Sequence, residues 1–167
     1  MRFIDAYLRS YFITPENEPE FFSIVKDVYY TPELQSQRKF IQHSDVDRLQ
    51  HMKSVAFISY LYCKEHELDF RSVAHAAIMH DLTYYDWHVA DDGSHRLSGY
   101  RHPGWALKNA LDLTSLNAIE IDIIYRHMFP LTPTPPKYKE SLIVSMVDKY
   151  CALQEIRKIH HRAFDGE

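Results

Sequence analysis

Six side chains able to ligate a metal fall along this chain in a fixed order: His51, the adjacent pair His80-Asp81, His102, His127 and Asp148. Imidazole nitrogens and carboxylate oxygens are the donors through which divalent metals bind. Successive positions lie about 20 to 30 residues apart, one helix and its loop, so a helical bundle would deliver one ligand per helix to a common centre. The adjacency of His80 and Asp81 lets two neighbouring side chains at a helix end reach the same ion. An aspartate such as Asp148, on an apolar helical stripe, is costly unless it is paired or bound to a metal.

The elements that would carry these residues are helical. A helix is expected over Phe3 to Phe12, a second after Thr14-Pro15 with Thr14 as cap, and a third over Thr31 to Gln42. Ser44 or Asp45 caps the next helix, which runs to about His66 and puts His51 on one stripe with Val55 and Ile58. Asp69 precedes a helix from about Phe70 to Met79, whose buried face (Val73, Ala76, Ala77) continues into His80. Residues 82 to 101 read as a loop with turn chemistry at Asp91-Asp92-Gly93, and a connection of that length is usually functional. His102-Pro103 opens a helix through Leu111. Thr114 or Ser115 caps one leading through Ile123 and Ile124 to His127. The last strong helix runs from about Lys137 to Ile159, with Val144, Asp148 and Cys151 on one stripe.

These residues, in their local runs, resemble the HD-domain superfamily of metal-dependent phosphohydrolases. His51 in HMKSVA matches its first histidine, His80-Asp81 in AAIMHDL its name-giving doublet, and Asp148 in IVSMVDKYCAL its distant aspartate. His102 in RHPGWAL and His127 in IIYRHMFPL match the two further histidines of the two-metal branches. The resemblance covers roughly Asp45 to Glu155. The runs HDLTYYDWH and HMFPL are similar to those of an uncharacterised bacterial set of small HD proteins. The fold it implies is all-α, an HD-domain helical bundle with a metal site at its centre. Residues 1–44 would form an N-terminal helical extension and 45–167 the HD domain, in one compact unit.

The activity it implies is hydrolysis of a small phosphorylated metabolite, a nucleotide by preference, by metal-activated water. The implied cofactor is a divalent metal, two ions by preference, drawn from Fe, Mn, Mg, Ni or Zn. His51, His80, Asp81, His102, His127 and Asp148 would be the ligands, with Asp81 bridging and His80 and Asp81 at the reacting centre. Paired ions would clamp the attacking and leaving oxygens. The ligands bind deprotonated, so affinity is expected to fall in acid. Where the superfamily often has a lysine three residues after the doublet, this chain has Tyr84. Lys149, His88, Arg126 and Arg101 are therefore the candidates for phosphate contact, and each is also readable as an ordinary surface or helix-end charge. Tyr84, Tyr85 and Trp87 read first as packing and second as a stacking surface for a base. Three other readings stay open: a symmetrical dinucleoside-polyphosphate hydrolase, a di-iron oxygenase, and a metal-binding regulatory module without turnover. A GYP-type cyclic-dinucleotide phosphodiesterase ranks lower, because MFPL follows His127.

Composition bounds the rest. The chain has 167 residues, enough for one cored domain and too short to expect two. Four glycines favour helices over a turn-rich β architecture. A net charge of −4 gives no basic face for nucleic acid. Cys63 and Cys151 are too few for a disulfide framework and read as buried thiols of a reducing cytoplasm. No apolar run is long enough for a membrane span, and the N-terminus lacks a signal-peptide core, so a cytoplasmic protein is expected. A homodimer stays open. His43, His66, His75, His95 and His160-His161 carry no matching motif and read as surface or capping residues.

Overall fold

A computed structural model describes residues 1–84 and 98–164. It is mostly helical: α1 (Phe3–Arg9), α2 (Pro19–Tyr29), a short α3 (Pro32–Gln35) continued by a 3-10 turn (Ser36–Lys39), α4 (Arg48–Glu65), α5 (Phe70–Ala77), α6 (Ser98–Leu113), α7 (Ala118–Arg126) and α8 (Lys139–Ile156). A second 3-10 turn (Ile159–Ala163) follows. Among the described residues the sheet content is one small antiparallel hairpin, β1 (Ile41–His43) with β2 (Val46–Asp47). No helix of the described residues is long and apolar enough to cross a membrane.

Helix α4 is the axis of the fold. Met52, Val55, Ala56, Phe57, Ile58 and Cys63 are all buried, so the helix is covered on nearly every side. Helices α5 and α8 pack against it, and α7 packs against both of those. Ala74, Ala76 and Ala77 are fully buried on α5, and their small side chains let α4 and α7 approach closely. The first 44 residues feed the same core through Tyr7, Phe21, Val25 and Leu34. Tyr60 on α4 meets Phe21 at 5.5 Å between ring centroids. Cys63 and Cys151 are buried free thiols, and burial pushes the Cys63 thiol up to about 12.

Several helix starts differ from the sequence reading, each for a local reason. Thr14-Pro15 opens a turn: Asn17 accepts from the Thr14 N–H at 2.7 Å, and its own amide donates to the Phe12 carbonyl. The helix then begins at Pro19. The helical run from Thr31 stops at Lys39, because residues 41–47 turn back as the hairpin, with Ser44 at φ 57°. Ser44 and Asp45 therefore shape a turn, and Asp47 caps α4 by accepting from the Gln50 N–H. Asn117 caps α7, in a reciprocal capping box with Glu120, in place of Thr114 or Ser115. Helix α6 starts at Ser98, so Pro103 lies inside it. Asp69 precedes α5 as expected, and its side chain caps the helix by accepting from the Ser72 N–H.

Three histidines read as surface or capping residues form structural clasps. His75 on α5 contacts Glu120 at 2.6 Å and Asp27 at 3.0 Å, joining α2, α5 and α7. His160 is buried and His161 half-exposed, and both bind Asp45 at the hairpin tip.

Candidate metal centre

The six sequence-predicted ligands converge. His51 projects from the first turn of α4. His80 and Asp81 lie in the turn just past α5, His102 lies on α6, and His127 sits directly after α7. Asp148 is on the buried stripe of α8. Helix α5 stops at Ala77, short of the doublet, which frees both side chains of the pair to point inward.

Asp81 is the hub, and its two oxygens face different partners. Its Oδ1 lies 2.6 Å from His102 Nε2 and 3.2 Å from His127 Nε2. Its Oδ2 lies 3.6 Å from His80 Nε2 and 3.9 Å from His51 Nε2. Asp148 Oδ1 closes the second group, 3.1 Å from His51 Nε2 and 3.7 Å from His80 Nε2. Ligands at about 2.0–2.2 Å from a tetrahedral ion stand roughly 3.3–3.6 Å from one another; the His80 and His127 separations from Asp81 lie near that range, while His102 sits at hydrogen-bond distance from it. Among the metal-capable triads of the described residues, His51–His80–Asp81 and Asp81–His102–His127 share one carboxylate.

The hydrogen bonds behind the ligands set which nitrogen faces inward. His80 Nδ1 donates to the Ala77 carbonyl at 2.7 Å, and His127 Nδ1 donates to the Ile124 carbonyl at 2.8 Å. A carbonyl only accepts, so each Nδ1 carries the proton and a neutral ring presents a bare lone pair at Nε2. Those two Nε2 atoms are buried and make no hydrogen bond among the described residues. A buried, unpaired nitrogen is costly, and an ion at that point removes the cost. His51 is oriented the same way, its Nδ1 donating to the buried carboxylate of Glu155 at 2.9 and 3.0 Å. A carboxylate behind a histidine fixes the ring and strengthens it as a donor.

The charges agree with this wiring. Burial alone would raise the Asp81 carboxyl, but His80 and then His102 hold it well below the usual carboxylate range. Burial also opposes ionisation of Asp148, and the hydrogen bond from His51 together with the neighbouring His80 ring holds it well below that range. His51 is raised well above its ordinary value: burial opposes the charge, and Glu155 and Asp148 outweigh it. His80 is raised mainly by Asp81, again against burial. Burial lowers His127.

The residues named for phosphate contact are placed unequally. Lys149 Nζ donates to the His127 carbonyl, to Ser145 Oγ at 3.3 Å and to Asp148 Oδ2 at 3.2 Å, so it borders the centre and ties α8 to the end of α7. Arg126 is committed to Asp122 at 2.9 Å and to the Pro135 carbonyl. Arg101 is exposed near the start of α6, and Tyr84 is exposed just after the doublet. His88, His95, Tyr85, Asp86, Trp87 and the turn at Asp91-Asp92-Gly93 lie outside the described residues.

Sequence reasoning missed Glu155, Gln42 and Arg48. Glu155 continues the stripe of Val144, Asp148 and Cys151 at the next helical step, so its spacing would have found it. The Gln42 amide donates to Asp81 Oδ2, and Arg48 holds Gln42 in turn. Nothing in a glutamine on a short strand signals such a role. Compared with family models, with curated proteins and with solved structures, the chain matches none.

Proposed function

We propose that this chain is an HD-domain metal-dependent phosphohydrolase that holds two divalent ions and acts on a small phosphorylated metabolite, a nucleotide by preference. The observation that carries the reading is Asp81, with one oxygen directed to each triad, beside two buried histidine Nε2 atoms that make no hydrogen bond among the described residues. His51, His80, Asp81 and Asp148 would hold one ion, and Asp81, His102 and His127 the other. Bound there, two ions would lower the pKa of a water and neutralise charge developing on phosphoryl oxygens. The protein's own contribution is orientation. Glu155, the Ala77 carbonyl and the Ile124 carbonyl keep the rings of His51, His80 and His127 aimed at the centre. Lys149, in contact with Asp148, is the cation proposed to meet a phosphoryl oxygen.

The two positions differ in charge. The first has Asp148 and Asp81 with Glu155 behind His51, whereas the second has only its share of Asp81. The first position is therefore expected to fill more tightly. The test is metal content of anaerobically purified protein, wild type beside His127→Ala. Two equivalents falling to about one supports the shared centre. Release of inorganic phosphate or of a nucleotide product, screened with Mn-, Fe- and Ni-loaded protein against nucleotides, dinucleoside polyphosphates and phosphomonoesters, then fixes the substrate. No metal after reloading overturns the proposal, and turnover that consumes oxygen without releasing phosphate replaces hydrolysis by oxygenase chemistry.

A further inference from the structure

The hairpin in front of α4 is inverted relative to an ordinary edge strand. Ile41 faces out, 43% exposed, while its polar neighbour Gln42 faces in at 7%. Burying a carboxamide and exposing an isoleucine costs free energy on both counts, so the inward amide needs a reason. Its contacts supply one. Gln42 Oε1 accepts from Arg48 Nε at 2.9 Å, and Gln42 Nε2 donates to Asp81 Oδ2. A guanidinium has donors and no acceptor, so it fixes which end of the amide is which: the oxygen must face Arg48 and the NH₂ must face Asp81. An amide reversed by rotation would set its oxygen against a carboxylate.

Arg48 is itself fully buried, its guanidinium 4.6 Å from the centre of the Phe40 ring. Its other donors reach the segment that carries Asp81. Arg48 Nη1 donates to the Thr83 carbonyl at 3.1 Å and to Thr83 Oγ1 at 3.0 Å, two residues after the aspartate, and to Gln37 Oε1 at 3.3 Å. One rigid fork thus holds Asp81 from both sides, the backbone beyond it through Thr83 and the carboxylate through Gln42. Of the centre's ligands, Asp81 is the one whose plane must be set, because each oxygen serves a different group.

We propose that Arg48 and Gln42 are positioning residues that set the plane of the Asp81 carboxylate, so that it spans both halves of the centre. The inference rests on the two-ion reading above and assigns roles to residues outside the ligand set. Its consequence is uneven. A misoriented Asp81 leaves the first position with His51, His80 and Asp148, but leaves the second with His102 and His127 alone. Loss of the relay therefore falls on the second ion.

The test titrates metal-free wild-type protein, Gln42→Leu, Arg48→Lys and the double variant with Mn²⁺. Fold integrity is checked in parallel by circular dichroism and cooperative melting. Gln42→Leu is expected to keep the tighter step within a few-fold and to weaken the second by about 10- to 100-fold, the usual effect of removing a group that orients a ligand. Arg48→Lys keeps the charge but loses the fork, and is expected to reproduce that split. The double variant should be no weaker than the worse single, as members of one relay behave. Two wild-type steps retained in Gln42→Leu, both steps weakened alike, or additive losses in the double variant would each overturn the relay while leaving the metal centre standing. A wild type that takes up no Mn²⁺ removes both.

Discussion

Two of the histidine–carboxylate clusters among the described residues look alike in composition and are wired in opposite senses. In the central one, His80 and His127 donate backwards through Nδ1 to backbone carbonyls, and their unpartnered buried atoms are the Nε2 nitrogens among the acids. In the peripheral one, Asp45 Oδ1 pairs with His160 Nε2 at 2.9 Å and Asp45 Oδ2 with His161 Nε2 at 2.8 Å. There the buried unpartnered atom is His160 Nδ1, on the far side of the ring from the carboxylate. An ion at the peripheral site would have to take the Nε2 positions and leave the His160 Nδ1 proton buried without an acceptor. Both oxygens of Asp45 are already paired there, which makes the cluster a clasp of the last 3-10 turn to the hairpin. Proximity of ligand atoms does not distinguish the two, whereas the direction of the unsatisfied atom does.

The largest effect expected from this difference comes from exchanging the carboxylates one at a time. Asp81→Ala removes the carboxylate proposed to serve both positions. It should cost the second metal equivalent outright and weaken the first, which keeps His51, His80 and Asp148, and the proposed turnover should go with the pair. Asp45→Ala should leave metal content at the wild-type value. Elemental analysis of the two purified variants side by side decides it. Metal lost from Asp45→Ala, or kept at two equivalents in Asp81→Ala, would invert the assignment.

A smaller but graded effect is pH. With no ion bound, His51 and His80 keep their protons to a pH above their ordinary value, so uptake of an ion must displace those protons. Affinity at the central cluster is therefore expected to rise steadily from about pH 6 to pH 8, where histidines ordinarily titrate. Titration calorimetry in buffers of different ionisation enthalpy should show protons released on binding. An affinity flat across that range would mean the rings are already neutral, and the inward-facing charge network would be wrong.

How far the sequence alone carried depends on what kind of signal each part leaves. The inward-facing candidate ligands on periodic helices were legible: His51 shares a stripe with Val55, and Asp148 with Val144 and Cys151, so their burial follows from the period, while the resemblance proposed them as ligands. The all-helical class was legible for the same reason. The parts that orient the ligands were not. Gln42 and Arg48 act across a two-strand hairpin too short for alternation to register, in a stretch that read as helix. The His75 and His160 clasps depend on Asp27, Glu120 and Asp45, which are distant in sequence and carry no motif. Helix starts slipped wherever a side chain captured the backbone first, as Asn17 does at Thr14 and Asn117 does for α7.

The smallest predicted effect is the stability of the peripheral clasp. The Asp45 carboxyl is held below its usual value, chiefly by its hydrogen bond to His161. A depressed carboxyl contributes stability that is fully present above the unfolded pKa of about 3.9 and drains away as pH falls below it. Asp45 and His161 are each about half exposed, at 50% and 47%, so solvent screens the pair. Asp45→Ala should therefore cost no more than about 1 kcal/mol near neutral pH. The difference from wild type should shrink in acid, and salt should erode it at neutral pH. Urea melts of the two proteins at pH 7 and at about pH 3, below the unfolded carboxyl value, measure this directly. If Asp45→Ala instead lost several kcal/mol, or lost it equally at both pH values, the carboxylate would be supporting the hairpin by packing or by turn geometry. The hairpin tip would then be tied to the Gln42 relay more tightly than a surface ion pair allows.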